Sequence, residues 1–135
     1  MLKYAATYIL TLLFMLVIDG TWIALVALPM FRTTLGPDAL TARLVPAVLF
    51  YLVYAAGIQV FVLPAGSGSW PMTALFGALF GLFTYATYDL TNYGTLKDWT
   101  ATLAVSDIAR GIVMTAVVST LALVAGRAVA RWFGV

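Results

Sequence analysis

The sequence predicts an all-α integral membrane protein folded as a four-helix transmembrane bundle. Three observations predict it. Hydrophobic residues make up 64% of the 135-residue chain and charged residues only 9%, against roughly 25% charged in soluble proteins. A chain so poor in polar side chains cannot coat itself for water, so its outer solvent is lipid. Four apolar runs each approach the ~20 residues that cross ~30 Å of hydrocarbon. None of them alternates apolar and polar residues as barrel strands do, and open-edged strands leave backbone groups that lipid cannot satisfy.

The first run covers residues 4–28 and stops before Pro29. It is too long for a secretory leader, carries Asp19 and lacks a small-residue cleavage site, so it reads as a retained span. The second run, 45–63, has Pro46 in its first turn and Pro64 just past its end. The polar stretch "AGSGSW" makes a tight turn into the third run, 72–93, which opens after Pro71. The fourth covers 103–126. Trp70, Trp99 and Trp132 fall where interfacial aromatics belong. The longest connection, "MFRTTLGPDALTARLVP", is mildly amphipathic and suits the headgroup region. Residues 1–135 read as a single domain.

An even number of spans puts both termini on one side, together with Lys3, Arg127 and Arg131. The other side carries Arg32, Arg43 and Lys97, with Arg110 close by. With the cations so evenly divided, the positive-inside rule does not set the orientation. Either a membrane partner or hydrophobicity fixes it, or the chain inserts both ways and pairs as an antiparallel homodimer. The net charge of +2 is small and scattered, which excludes nucleic acid as a partner.

The buried charges carry the most information. At 1.5 Å per residue, Asp19 lies roughly 24 Å along the first span and Asp89 roughly 25 Å along the third. Both spans start on the terminal side. The fourth starts on the opposite side, and Asp107 and Arg110 fall within roughly its first 11 Å. All four side chains therefore converge in one half of the membrane. Asp19 with Trp22, Asp89 with Asn92, and Asp107 with Arg110 are each three apart and share a helix face. Tyr85, Tyr88 and Asn92 extend one stripe on the third span, after a Gly77-x-x-x-Gly81 that admits a close neighbour. Tyr51 and Tyr54 lie at a compatible depth, whereas Gln59 lies nearer the other surface.

Intramembrane ionisable residues face a bundle interior or a wet cavity, so these faces turn inward. Three ionised aspartates against one arginine leave two negative charges uncompensated, and a proton or cation must share the cluster. The plainer alternative is a polar clamp, with Asp107–Arg110 an ordinary ion pair in a first helical turn. The chain has no histidine and no cysteine. That excludes histidine or thiolate ligation of zinc and haem, iron–sulfur ligation, thiolate nucleophiles and Ser-His-Asp triads. Any metal would sit on Asp19, Asp89 and Asp107 and favour oxygen ligands.

The segment "YDLTNYGTLKDW", preceded by "IDGTW" and followed by "VSDIARG", resembles the bacterial membrane family called domain of unknown function 2177. The likeness runs over essentially the whole chain. It implies a four-span protein of the bacterial inner membrane, with family aspartates at Asp19, Asp89 and Asp107. A tryptophan often stands in that family where this chain has Arg110, a departure that changes the charge of the cluster. The resemblance implies no activity. Three function classes follow from the residues, in descending order. One is a proton- or cation-coupled carrier or channel for a small molecule, coupled through Asp19 and Asp89 and lined by Trp22, Tyr85 and Tyr88. Another is an assembly or ligand-binding subunit of a membrane complex. The last, an enzyme modifying lipids with a divalent metal, is the least favoured.

Overall fold

Inside lipid, each backbone N–H and C=O must find its partner within its own segment, so the apolar runs become helices. The computed structural model describes residues 2–41 and 43–134. Helix α1 comprises Leu2–Trp22, a π-helical turn Ile23–Ala27 and a continuation Leu28–Leu35. Helix α2 comprises Leu44–Gly57, a second π-helical turn Ile58–Val62 and a last turn Leu63–Ala65. Helices α3 (Trp70–Thr95) and α4 (Ala101–Trp132) are unbroken. No strand occurs among the described residues. The protein is a four-helix membrane bundle.

Helices α1, α2 and α4 are each long and apolar enough to cross a membrane. Helix α3 has the length, 26 residues or ~39 Å, but is less apolar. Part of what dilutes it turns inward, since Thr73, Gly77, Gly81, Tyr85 and Asp89 are all buried, while Thr87, Tyr88, Thr91 and Tyr93 near its end are exposed.

Pro29 does not end its helix, contrary to the expectation from proline placement, whereas the helix carrying Pro64 runs one residue past it, to Ala65. Each follows a π-helical turn by one residue, and the amides of Leu28 and Leu63 reach back five residues to Ile23 and Ile58. The wider turn relieves the clash a proline ring makes with the preceding turn of a regular helix. Helix α1 therefore runs on until Gly36, whose φ of 100° closes it. The connection to α2 shortens to residues 36–43, of which Ala42 lies outside the described residues. The extra turns of α1 pack Met30, Phe31 and Leu35 on Trp99, Leu103 and Ala104. Trp99 is thus buried against these side chains, while Trp70 and Trp132 are exposed. Thr100 caps α4, its hydroxyl accepting from the Leu103 amide at 3.2 Å.

The most extensive packing joins α3 to α4, and α4 also lies along α1. Helix α2 leans on α1 and, through its π-helical turn, on α3. The α3–α4 contact is an antiparallel ladder of small residues. Any Cβ at Gly77 would meet the Thr115 carbonyl at 2.9 Å and Ala116 Cα at 3.0 Å. One turn further, Gly81 faces Gly111 and Thr115, and Gly111 in turn faces the Tyr85 ring. Advancing α3 by four residues moves the contact back by about four on α4. That register carries Asp89 to a position across from Asp107.

Candidate functional site

Each helix brings a polar group to one level of the bundle. Asp19 on α1 is 1% exposed, and its two oxygens have different partners. The Tyr51 hydroxyl of α2 donates to Oδ2 at 3.0 Å, and Arg110 of α4 donates through Nη1 to Oδ1. The same guanidinium donates through Nε at 2.9 Å and Nη2 at 2.7 Å to Asp107 Oδ1, one turn earlier on α4. Arg110 is therefore clamped between two carboxylates. The face of Tyr85 from α3 lies 4.8 Å from its Cζ, within cation–π range.

A guanidinium suits this role because its planar fork can serve two acceptors at once. The pattern also fixes the charge. Arg110 offsets one of the two carboxylates, so the triad Asp19–Arg110–Asp107 carries one net negative charge when ionised.

Asp89 is different. It is 0% exposed, and neither carboxylate oxygen has a hydrogen-bond partner. Asp107 and the Trp99 indole adjoin it closely enough to hydrogen-bond after a small adjustment, with Arg110 adding its positive field. The Tyr85 hydroxyl and the Trp99 Nε1 are likewise buried without partners. Native proteins rarely leave such groups unpaired, because each forfeits the hydrogen bonds it had in water.

A layer of hydroxyls backs the cluster. The Tyr54 hydroxyl is 2.7 Å from Thr115 Oγ1 and 3.2 Å from Thr84 Oγ1. Its ring meets Tyr85 edge-on at 6.0 Å. On the other flank, between α1 and α4, lies a groove of about 530 Å3 with Asp19 and Arg110 at its floor. Its walls include Trp22, Val26, Val113 and Val117, all exposed, so the groove opens toward the lipid rather than toward water.

Of the residues singled out in the sequence, Asp19, Tyr85 and Asp107 each meet Arg110, and Asp89 adjoins them. Trp22 forms the groove rim. Tyr88 and Asn92 stand apart: Tyr88 is 55% exposed and packs edge-on against Trp99 at 5.8 Å, and Asn92 is only half-buried. The predicted stripe of Tyr85, Tyr88 and Asn92 divides because α3 buries a strict four-residue row ending in Tyr85 and Asp89. Among the described residues, no group of three or more carboxylates is arranged to hold a metal ion, since Arg110 fills the space between Asp19 and Asp107. Tyr51 is the residue that sequence reasoning left out of the cluster. Its signal was only its depth, because a tyrosine near a helix end is ordinary.

No curated protein and no solved structure matches the chain. The profile of a family described as predicted membrane protein, DUF2177, matches residues 4–124, a stretch containing every residue of the cluster. The chain belongs to the DUF2177 family of predicted membrane proteins.

Proposed function

We propose that the protein is a proton- or cation-coupled carrier of a small amphipathic molecule across the bacterial inner membrane. The observation that carries this reading is Asp89, a fully buried carboxylate with two unpartnered oxygens beside a second carboxylate. An ionised carboxyl there would lack water and face the carboxylate of Asp107, with the Trp99 indole and Arg110 as the donors nearby, so it is suited to hold a proton or a small cation. The lipid-facing groove supplies the other half. Apolar walls above an ion pair fit a molecule with an apolar body and a polar or cationic head.

The coupling runs through Arg110. A cationic head that engages Asp19 competes for the oxygen Arg110 now occupies. Arg110 then shifts toward Asp107, alters the field at Asp89 and promotes loss of its proton or cation. By reciprocity, loading Asp89 weakens the hold on the head group. Tyr51 keeps Asp19 aimed into the groove throughout.

Purified protein in liposomes, challenged with a panel of hydrophobic amines and quaternary cations, tests this directly. Proton or cation release on binding, lost in Asp89→Asn, is the expected result. No pH- or cation-dependent binding or flux from a folded sample would overturn it. The groove's lateral opening favours one alternative, a subunit whose groove receives a helix of another membrane protein. A stoichiometric partner retained in gentle detergent would favour that alternative.

A further inference from the structure

The far end of the bundle has its own polar cavity, built from residues the cluster does not use. It encloses about 210 Å3 between α1, α2 and α4, and includes Lys3, Gln59 and Arg127. The chain's five acidic residues are Asp19, Asp38, Asp89, Asp98 and Asp107. All lie in the other half of the molecule or in its two connections, so no acidic side chain balances this end. Among the described residues the ion pairs are Arg110–Asp19 and Arg110–Asp107, which leaves Lys3 and Arg127 without an acidic partner. Arg131, one turn beyond Arg127, adds to the positive field.

Two features make this more than a charged rim. Arg127 donates to the Gly68 carbonyl in the α2–α3 turn, which holds the guanidinium over the cavity. Gln59 donates through Nε2 to the Tyr4 carbonyl at 2.6 Å, which fixes the sense of its amide. Its Oε1 is left buried with no donor. An anion alone would answer the two cations and leave that oxygen unsatisfied; a neutral donor alone would do the reverse. Leu63 and Leu123 form an apolar shoulder beside the cations.

We infer that this cavity binds a phosphodiester with a hydroxyl-bearing head, the phosphate against Lys3 and Arg127 and a hydroxyl donating to Gln59 Oε1. Phosphatidylglycerol and its water-soluble analogue glycerophosphoglycerol share this chemistry. Basic pockets between transmembrane helices take anionic head groups in this way.

Native mass spectrometry of the protein from nanodiscs holding phosphatidylglycerol, phosphatidic acid and phosphatidylcholine tests the assignment. Phosphatidylglycerol is expected to be retained over phosphatidylcholine, with the preference falling about fivefold in Lys3→Gln and again in Arg127→Gln. Lys3→Gln is the safer variant, because Arg127 also ties down the turn. Gln59→Leu is expected to erase discrimination between phosphatidylglycerol and phosphatidic acid while sparing binding of both. Displacement of the lipid by glycerophosphoglycerol would identify a soluble ligand, and failure to displace it would identify the lipid. Equal retention of phosphatidylglycerol and phosphatidylcholine would overturn the proposal, as would a preference that survives both cation substitutions.

Discussion

Arg110 and Asp89 make opposite contributions to the same cluster, and their substitutions should separate. Removing Arg110 strands Asp19 and Asp107 as buried carboxylates facing each other. Loss of one partner from a buried ionic network destabilises by about 3–5 kcal/mol, and Arg110→Met should lose stability on that scale in detergent unfolding. Asp89 takes part in neither ion pair. Asp89→Asn exchanges a carboxyl outside the ion pairs for a neutral isostere, so unfolding should shift by only about 1 kcal/mol, while coupled proton or cation release disappears. A large stability loss in Asp89→Asn would mean that the aspartate is structural glue. The sequence made Asp19, Asp107 and Arg110 legible because charge at membrane depth is conspicuous. It left Tyr51 illegible, because a tyrosine's hydroxyl does not announce which neighbour it will reach.

Backbone proximity, rather than side-chain bulk, governs the elements. Gly77 and Gly81 face carbonyl and Cα atoms of α4, which cannot step aside as a flexible side chain can. Overpacking of this kind costs about 1–3 kcal/mol, so Gly81→Ala should destabilise the bundle in thermal unfolding and weaken the α3–α4 register. Gly20 has nothing within 4 Å of an added Cβ, and Gly20→Ala should be neutral or gain up to about 1 kcal/mol from helix propensity. Equal responses at the two sites would remove the ladder as the determinant of register. The ladder was partly legible, since the row Thr73, Gly77, Gly81, Tyr85, Asp89 repeats every four residues. The π-helical turns were not. Proline placement alone reads as a stop signal, and only the tertiary contact of Phe31 and Leu35 with Trp99 explains why α1 continues.

For the whole molecule, a four-span arrangement requires α3 to cross the bilayer, although α1, α2 and α4 are the helices apolar enough to do so by composition. Its carboxyl, Asp89, faces the interior together with Thr73 and Tyr85, as an ionisable group within a span should, and the exposed Thr87, Thr91 and Thr95 hydroxyls donate back to carbonyls of their own helix. With no native cysteine, single cysteines report topology cleanly. Thiols at Ser67 and Arg131 should label from one side of sealed vesicles of fixed orientation, and thiols at Asp38 and Lys97 from the other. Labelling of Ser67 and Lys97 from the same side would mean that α3 does not cross. Composition made the class legible at once, since a chain with 9% charged residues has no aqueous surface to build. The pairing of helices was not legible, because four apolar runs of similar length offer several rings of neighbours.

An infrared titration of the protein in a lipid bilayer, comparing the wild type with Asp89→Asn, probes the orphaned carboxyl itself. A band from a protonated carboxyl group that is absent in Asp89→Asn, or a carboxylate band at Asp89 that shifts on exchange of small cations, is the predicted result. A spectrum in which Asp89 is ionised at every pH and indifferent to cations would contradict the proposed coupling, because the unpaired carboxyl at its centre would then exchange nothing.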